Sequence, residues 1–91
     1  MAIVFTVRVG TTVYADKTPM LKLAKVGRHS VQIVSLRGSE RGYITLRENE
    51  KVLDIRTSSD FMITQIKNSG KNGQARISCQ STDPKVRFSH S

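Results

Sequence analysis

Cysteine, proline, tryptophan and acidic residues are all scarce in this 91-residue chain. The one cysteine, Cys79, has no partner for an internal disulfide and makes no metal site alone, so neither a disulfide scaffold nor a zinc module is expected. Its ordinary role is that of a small buried hydrophobe. Two prolines and six glycines are too few for a disordered or collagen-like chain. The longest apolar run, the one ending at Phe5, is a handful of residues, far short of the ~20 needed to span a membrane. No basic segment followed by a roughly 7–15-residue apolar stretch opens the chain, so no secretory leader is expected, and the expected compartment is the cytoplasm. Only two histidines occur, His29 and His90, far apart in sequence. No Ser-His-Asp order, HExxH, CxxC or glycine-rich phosphate loop is present. Glu48 and Glu50 share a strand face, but Arg47 and Lys51 beside them make a solvated charge cluster the better reading than an acid–base pair. The expectation is a protein that is not an enzyme, with no cofactor and no metal.

What the chain has is positive charge and β-branched side chains. Fifteen Lys and Arg against seven Asp and Glu give +8. Residues 1–47 hold eight basic side chains and two acidic ones, a balance of +6; the remainder carries +2. An excess of this size suits an anionic partner, nucleic acid above all. Val, Ile and Thr together make 24 residues, and such stiff side chains pack best on a pleated surface. Ile3, Phe5, Val7 and Val9 alternate with Thr6 and Arg8, the period of a half-buried strand. Similar runs span 12–15, 20–26, 30–36, 43–47, 52–56, 61–67, 74–80 and 85–89. Turn residues separate them at Asp16–Pro19, Gly38–Ser39, Thr57–Asp60, Asn68–Gly73 and Asp83–Pro84. The expected inward sets are Val31/Ile33, Ile44/Leu46, Leu53/Ile55, Ala75/Ile77/Cys79 and Val86/Phe88; Met20 and Met62, if outward, would suit a docking surface, but core packing is the better reading of each. No window carries a helical stripe. The sequence predicts one all-β domain over 1–91: a small antiparallel barrel or sandwich of about eight or nine short strands, with no substantial helix.

Two stretches resemble a known family. Ile3-Val4-Phe5-Thr6-Val7-Arg8-Val9-Gly10-Thr11-Thr12-Val13 is similar to the start of the carbon storage regulator (Csr/Rsm) proteins, bacterial translational repressors that open with a strand and a Thr-Arg-Arg-x-Gly-Glu segment. The distance from Arg8-Val9-Gly10 to Val31-Gln32-Ile33 matches that to the family's Gln-Val-Arg-Ile strand. Tyr43-Ile44-Thr45-Leu46-Arg47-Glu48 looks like its fifth strand, which ends in an essential Arg followed by Glu. The second half repeats the theme. Ile44 to Leu53 also reads as an opening strand and turn, and Gly73 to Ile77 followed by Asp83 to Phe88 resembles the family's fourth strand, proline turn and fifth strand. The implied organisation is an internal repeat, 1–47 and 44–91, in which one chain stands for the family's intertwined dimer. The departures are Val7-Arg8 in place of two arginines, no Gly-Glu pair, His90 in place of the final Arg, and no C-terminal helix.

The resemblance implies binding of single-stranded, GGA-containing RNA loops and post-transcriptional control. The residues expected to meet RNA are Thr6, Arg8, Leu46 and Arg47 as one strand edge, with Tyr43 beside them. Arg37 and Arg41 in the loop 37–42 would grip the backbone, and Lys85 and Arg87 would form a weaker second patch. An arginine on a strand edge can pair with phosphate or with a guanine edge, and an adjacent aromatic can stack a base. The chain is expected to act as a monomer built like a dimer, or as a homodimer. The alternative is a protein-interaction module, such as a phage-type inhibitor or structural barrel, that adds its exposed strand edges to a partner's sheet.

Overall fold

The alternating runs become nine strands in a computed structural model that describes residues 2–36, 42–54, 58–67 and 73–91. They are β1 Ala2–Arg8, β2 Thr12–Ala15, β3 Thr18–Val26, β4 Ser30–Ser35, β5 Gly42–Arg47, β6 Lys51–Asp54, β7 Ser59–Lys67, β8 Gln74–Ser81 and β9 Phe88–His90. All pair antiparallel, in two sheets ordered β1-β8-β7-β6 and β5-β4-β3-β2-β9. Neither sheet closes on itself, so the architecture is a sandwich and not a barrel. No described residue is helical, so none of them forms a helix long and apolar enough to cross a membrane.

Alternation puts Val7, Val13, Leu23, Val31, Ile33, Ile63, Ala75, Ile77 and Cys79 between the sheets, each essentially sealed from solvent. Met20 packs in the core, because the β2–β3 register slips at Val13/Tyr14 and leaves it as the extra residue of a bulge beside inward Leu21. Two expected placements change. Leu53 is 70% exposed, because the register sets its neighbour Val52 opposite Phe61 on the inner face. The last strand begins at Phe88, three residues later than the pattern suggests. Lys85 N donates to Asp83 Oδ1 and Val86 N to the Asp83 carbonyl, which extends the turn around Pro84. Ile55, Gly38, Ser39 and residues 68–72 of the expected strands and turns lie outside the described residues.

The two sheets repeat one construction. Each has three strands consecutive in sequence (β2–β4 or β6–β8) with the opening strand of the other half added beside the third. The turn after that opening strand carries the same bonds in both. Arg8 N donates to Thr11 Oγ1 at 3.1 Å and Thr11 N to the Arg8 carbonyl at 3.0 Å. Arg47 N donates to Glu50 Oε1 at 2.8 Å and Glu50 N to the Arg47 carbonyl at 3.1 Å. The third turn residue is left-handed in each, Gly10 at φ 95° and Asn49 at φ 69°, the two residue types that adopt this conformation most readily. Each turn then clips to the middle strand of its own half. Gly10 N reaches the Leu23 carbonyl and Leu23 N returns to Thr11 O; Asn49 N reaches the Ile63 carbonyl and Ile63 N returns to Glu50 O. A bulge follows at once in both, between Leu23 and Lys25 against β4 and between Ile63 and Gln65 against β8. The cause is in the sequence: Leu23/Val26 and Ile63/Ile66 are inward pairs three apart, which period 2 alone cannot bury.

One element breaks the correspondence. β9, which follows β8, pairs with the edge strand β2. β5, which follows β4, pairs with β4 as β1 pairs with β8, so no described strand lies on the outer edge of β6.

Gly73 of the second half lies close to Val26 of the first: an added Cβ would sit 2.7 Å from Val26 Cβ. Gly73→Ala is expected to cost about 1–3 kcal/mol, as overpacking does. Urea denaturation would measure this, and a neutral result would mean that β7–β8 shifts freely away from Val26.

Candidate nucleic-acid interface

The pairing of β1 with β8 and of β8 with β7 assembles a polar row across three strands. Thr6 lies opposite Arg76, and Arg76 opposite Gln65; Arg8 lies opposite Gln74, and Gln74 opposite Lys67. The β7 bulge is what turns Gln65 and Lys67 outward. Thr6, Gln65, Lys67, Gln74 and Arg76 surround a shallow depression of ≈ 250 Å³ on the outer face. The Gln74 amide oxygen, turned toward Arg8, accepts from Nε and Nη2 at 3.2 Å each, which fixes the guanidinium while leaving Nη1 unused by this pair. Among the described residues no acidic side chain lines the depression. Glu48 comes near through its Oε1, which accepts from Ile66 N at 3.0 Å. Three cations with hydroxyl and amide groups on an exposed sheet can hold phosphates and base edges along a single strand.

The expected edge of Thr6, Arg8, Leu46 and Arg47 is not brought together. Arg8 and Arg47 occupy corresponding places in different sheets, at the ends of β1 and β5. The β1 edge lies against β9, where the Phe5 and His90 rings are 4.6 Å apart, whereas β5 is at the far edge of its sheet from β9. Leu46 is 5% exposed and holds β5 to the core from within, so it offers no surface to a ligand. Tyr43, 73% exposed, shares the outer face of β5 with Thr45 and Arg47. Lys85 and Arg87 are exposed before β9, where Arg87 N donates to Asp16 Oδ1 at 2.9 Å. Arg37 and Arg41 lie outside the described residues. Gln65, Lys67, Gln74 and Arg76 escaped the sequence reading. The alternation around Ala75 and Ile77 already turned Gln74 and Arg76 outward, but their nearness to Arg8 depends on a pairing 66 residues apart (Arg8 with Gln74).

Cys79 is sealed in the core below Asp60. Burial, aided by the Asp60 charge, pushes its thiol up from 9.0 to about 12. A raised folded pKa contributes stability that is whole below about pH 9 and is lost as pH climbs toward about 12. The urea midpoint is therefore expected to fall over that window in the native chain and to fall less in Cys79→Ala; parallel pH profiles would disprove it. Among the described residues no group of three His, Cys, Asp or Glu side chains is placed to hold a metal ion.

Comparison with protein-family models, with curated proteins and with solved structures gave no match to this chain.

Proposed function

We propose that the chain binds single-stranded RNA across the outer face of β1, β8 and β7 and so regulates translation in the cytoplasm, as the carbon storage regulators it resembles do. The observation that carries this reading is the gathering of Lys67 and Arg76 with Thr6, Gln65 and Gln74 around one depression, with no acid among the described residues that line it and with Arg8 paired to Gln74 at its side. The +8 charge of the chain supplies long-range attraction for a polyanion. Tyr43 and Arg47 on the other sheet, and Lys85 and Arg87 before β9, are auxiliary contacts for a longer strand.

The test is a salt-titrated binding assay with three probes: an RNA hairpin displaying GGA, the same hairpin scrambled, and duplex DNA. Preference for the first supports the regulator reading. Equal, salt-labile binding to all three reduces it to nonspecific attraction, and no binding removes it. One observation favours the rival reading of a protein-interaction module, namely the exposed Leu53 on β6, whose outer edge no described strand pairs.

A further inference from the structure

We infer that the outer face of the five-stranded sheet is a second binding site, a stacking platform that takes a short single-stranded RNA segment with little demand on its sequence. In the choice of polymer this rests on the reading above; of its residues only Tyr43 and Arg47 enter that reading, as auxiliary contacts. The two halves correspond in their outward residues as they do in their turns. On the first face Thr6, Arg76 and Gln65 form one row. The matching row across β5, β4 and β3 is Thr45, Gln32 and Lys25, so hydroxyl, cation and amide recur with the last two exchanged. Arg47, opposite Ser30, stands where Arg8 stands opposite Gln74. The bulge in β3 brings Lys22 and Lys25, three residues apart, out onto this face together.

This face adds aromatic rings. Tyr43, 73% exposed, pairs with Val34, Val34 with Lys22 and Lys22 with Thr12, one row across four strands. Tyr14, turned outward between the sealed Val13 and Ala15, is two residues along β2 from Thr12. Its hydroxyl accepts from Ser91 Oγ at 3.3 Å, which steadies the tip of the ring. At about 4.8 Å per strand and 3.4 Å per residue, the two tyrosines stand about 16 Å apart with Lys22 between them. Bases stacked on rings, with cations on the phosphates between, hold a single strand without reading its sequence. The charge of the face is of one sign. No Asp or Glu occurs in any of the five strands, whereas Lys22, Lys25 and Arg47 are all exposed. Asp16, Glu48 and Glu50, in the turns after β2 and β5, each accept from a main-chain amide, those of Arg87, Ile66 and Arg47 respectively. Charge complementarity therefore commits the face to a polyanion, and the tyrosines commit it to one whose bases are unpaired.

The experiment is an NMR titration of the full chain with the RNA octamer CACACACA, which holds no GGA and does not pair with itself. The chain has two tyrosines and no tryptophan, and both tyrosines are on this face, so their ring signals report on it alone. Saturable upfield shifts of both rings are expected. Tyr43→Leu should bind the octamer about tenfold more weakly, the loss of one stacked base, and Tyr43→Phe, which keeps the ring, should bind it as the native chain does. For the octamer the loss in Tyr43→Leu exceeds that in Arg76→Ala; for the GGA hairpin the order reverses. Both side chains are exposed, so both variants keep the native fold. Three outcomes would overturn the proposal: tyrosine rings that do not shift, Tyr43→Leu binding the octamer as tightly as the native chain, or Arg76→Ala losing as much octamer affinity as Tyr43→Leu, which would put the strand on the first face. A hairpin order that fails to reverse counts against the first face alone, so the two readings fail separately.

Discussion

Truncating Leu23 to alanine should cost about 2–5 kcal/mol, and Ile63→Ala should cost about the same. Both side chains are at most 1% exposed, and both sit where a crossing turn is clipped to the middle strand of a sheet. Each is the last inward residue before a bulge, so a cavity there also loosens the device that resets the alternation of the strand. Against a total stability of about 5–15 kcal/mol, either loss is a large fraction. For a domain of this size it lowers the melting temperature by roughly 4–8 °C per kcal/mol. Thermal and urea denaturation of both variants would check this. A cost under about 1 kcal/mol at one position and a large cost at the other would show that the two halves do not share the load their matching bonds imply.

The second large effect concerns RNA. Arg8→Ala and Arg76→Ala should each weaken binding by about 1–3 kcal/mol if they read guanine edges in bidentate fashion. Where the two arginines hold phosphates in place of bases, the double variant should instead change the salt dependence. Three cations on phosphates give a log–log slope of about −2 on a single strand, and one remaining cation gives about −0.7. Arg47→Ala separates the two faces. It lies on β5, in the other sheet, so it should leave most of the affinity in place. If Arg47→Ala weakens binding as much as Arg8→Ala, the interface has been placed on the wrong sheet. Both arginines are exposed, so the variants should unfold at the wild-type midpoint.

Local chemistry made the strands legible. Alternating apolar residues marked eight of the nine strands to within about two residues, whereas the turn expected over Asp16–Pro19 is confined to Asp16-Lys17, both left-handed at φ 50° and 69°, with Thr18 and Pro19 already in β3. The bulges were also written in the sequence, as inward pairs three apart at Leu23/Val26 and Ile63/Ile66. The partners of each strand were not. Nothing local in Ala2–Arg8 says that it pairs with residues 74–80 in preference to its neighbour Thr12–Ala15, and the polar row of the candidate interface exists only through that choice. Leu46 shows the cost of reading a site from a motif alone. Its position within a resembling segment made it a contact residue, whereas its phase in β5, shared with Ile44, sends it into the core.

The long reach between β1 and β8 also matters while the chain is being made. Paired residues in these strands are 66 to 78 positions apart, from Arg8 with Gln74 to Ala2 with Gln80. At roughly 5–20 residues per second, synthesis needs about 3–16 s to deliver the second strand after the first. Throughout that interval Ile3, Phe5 and Val7 face the cell with no sheet to join, an unpaired apolar strand of the kind that chaperones hold and neighbouring nascent chains capture. Expression yield for this protein should therefore depend on how densely ribosomes are loaded on its message as well as on the stability of the finished sandwich.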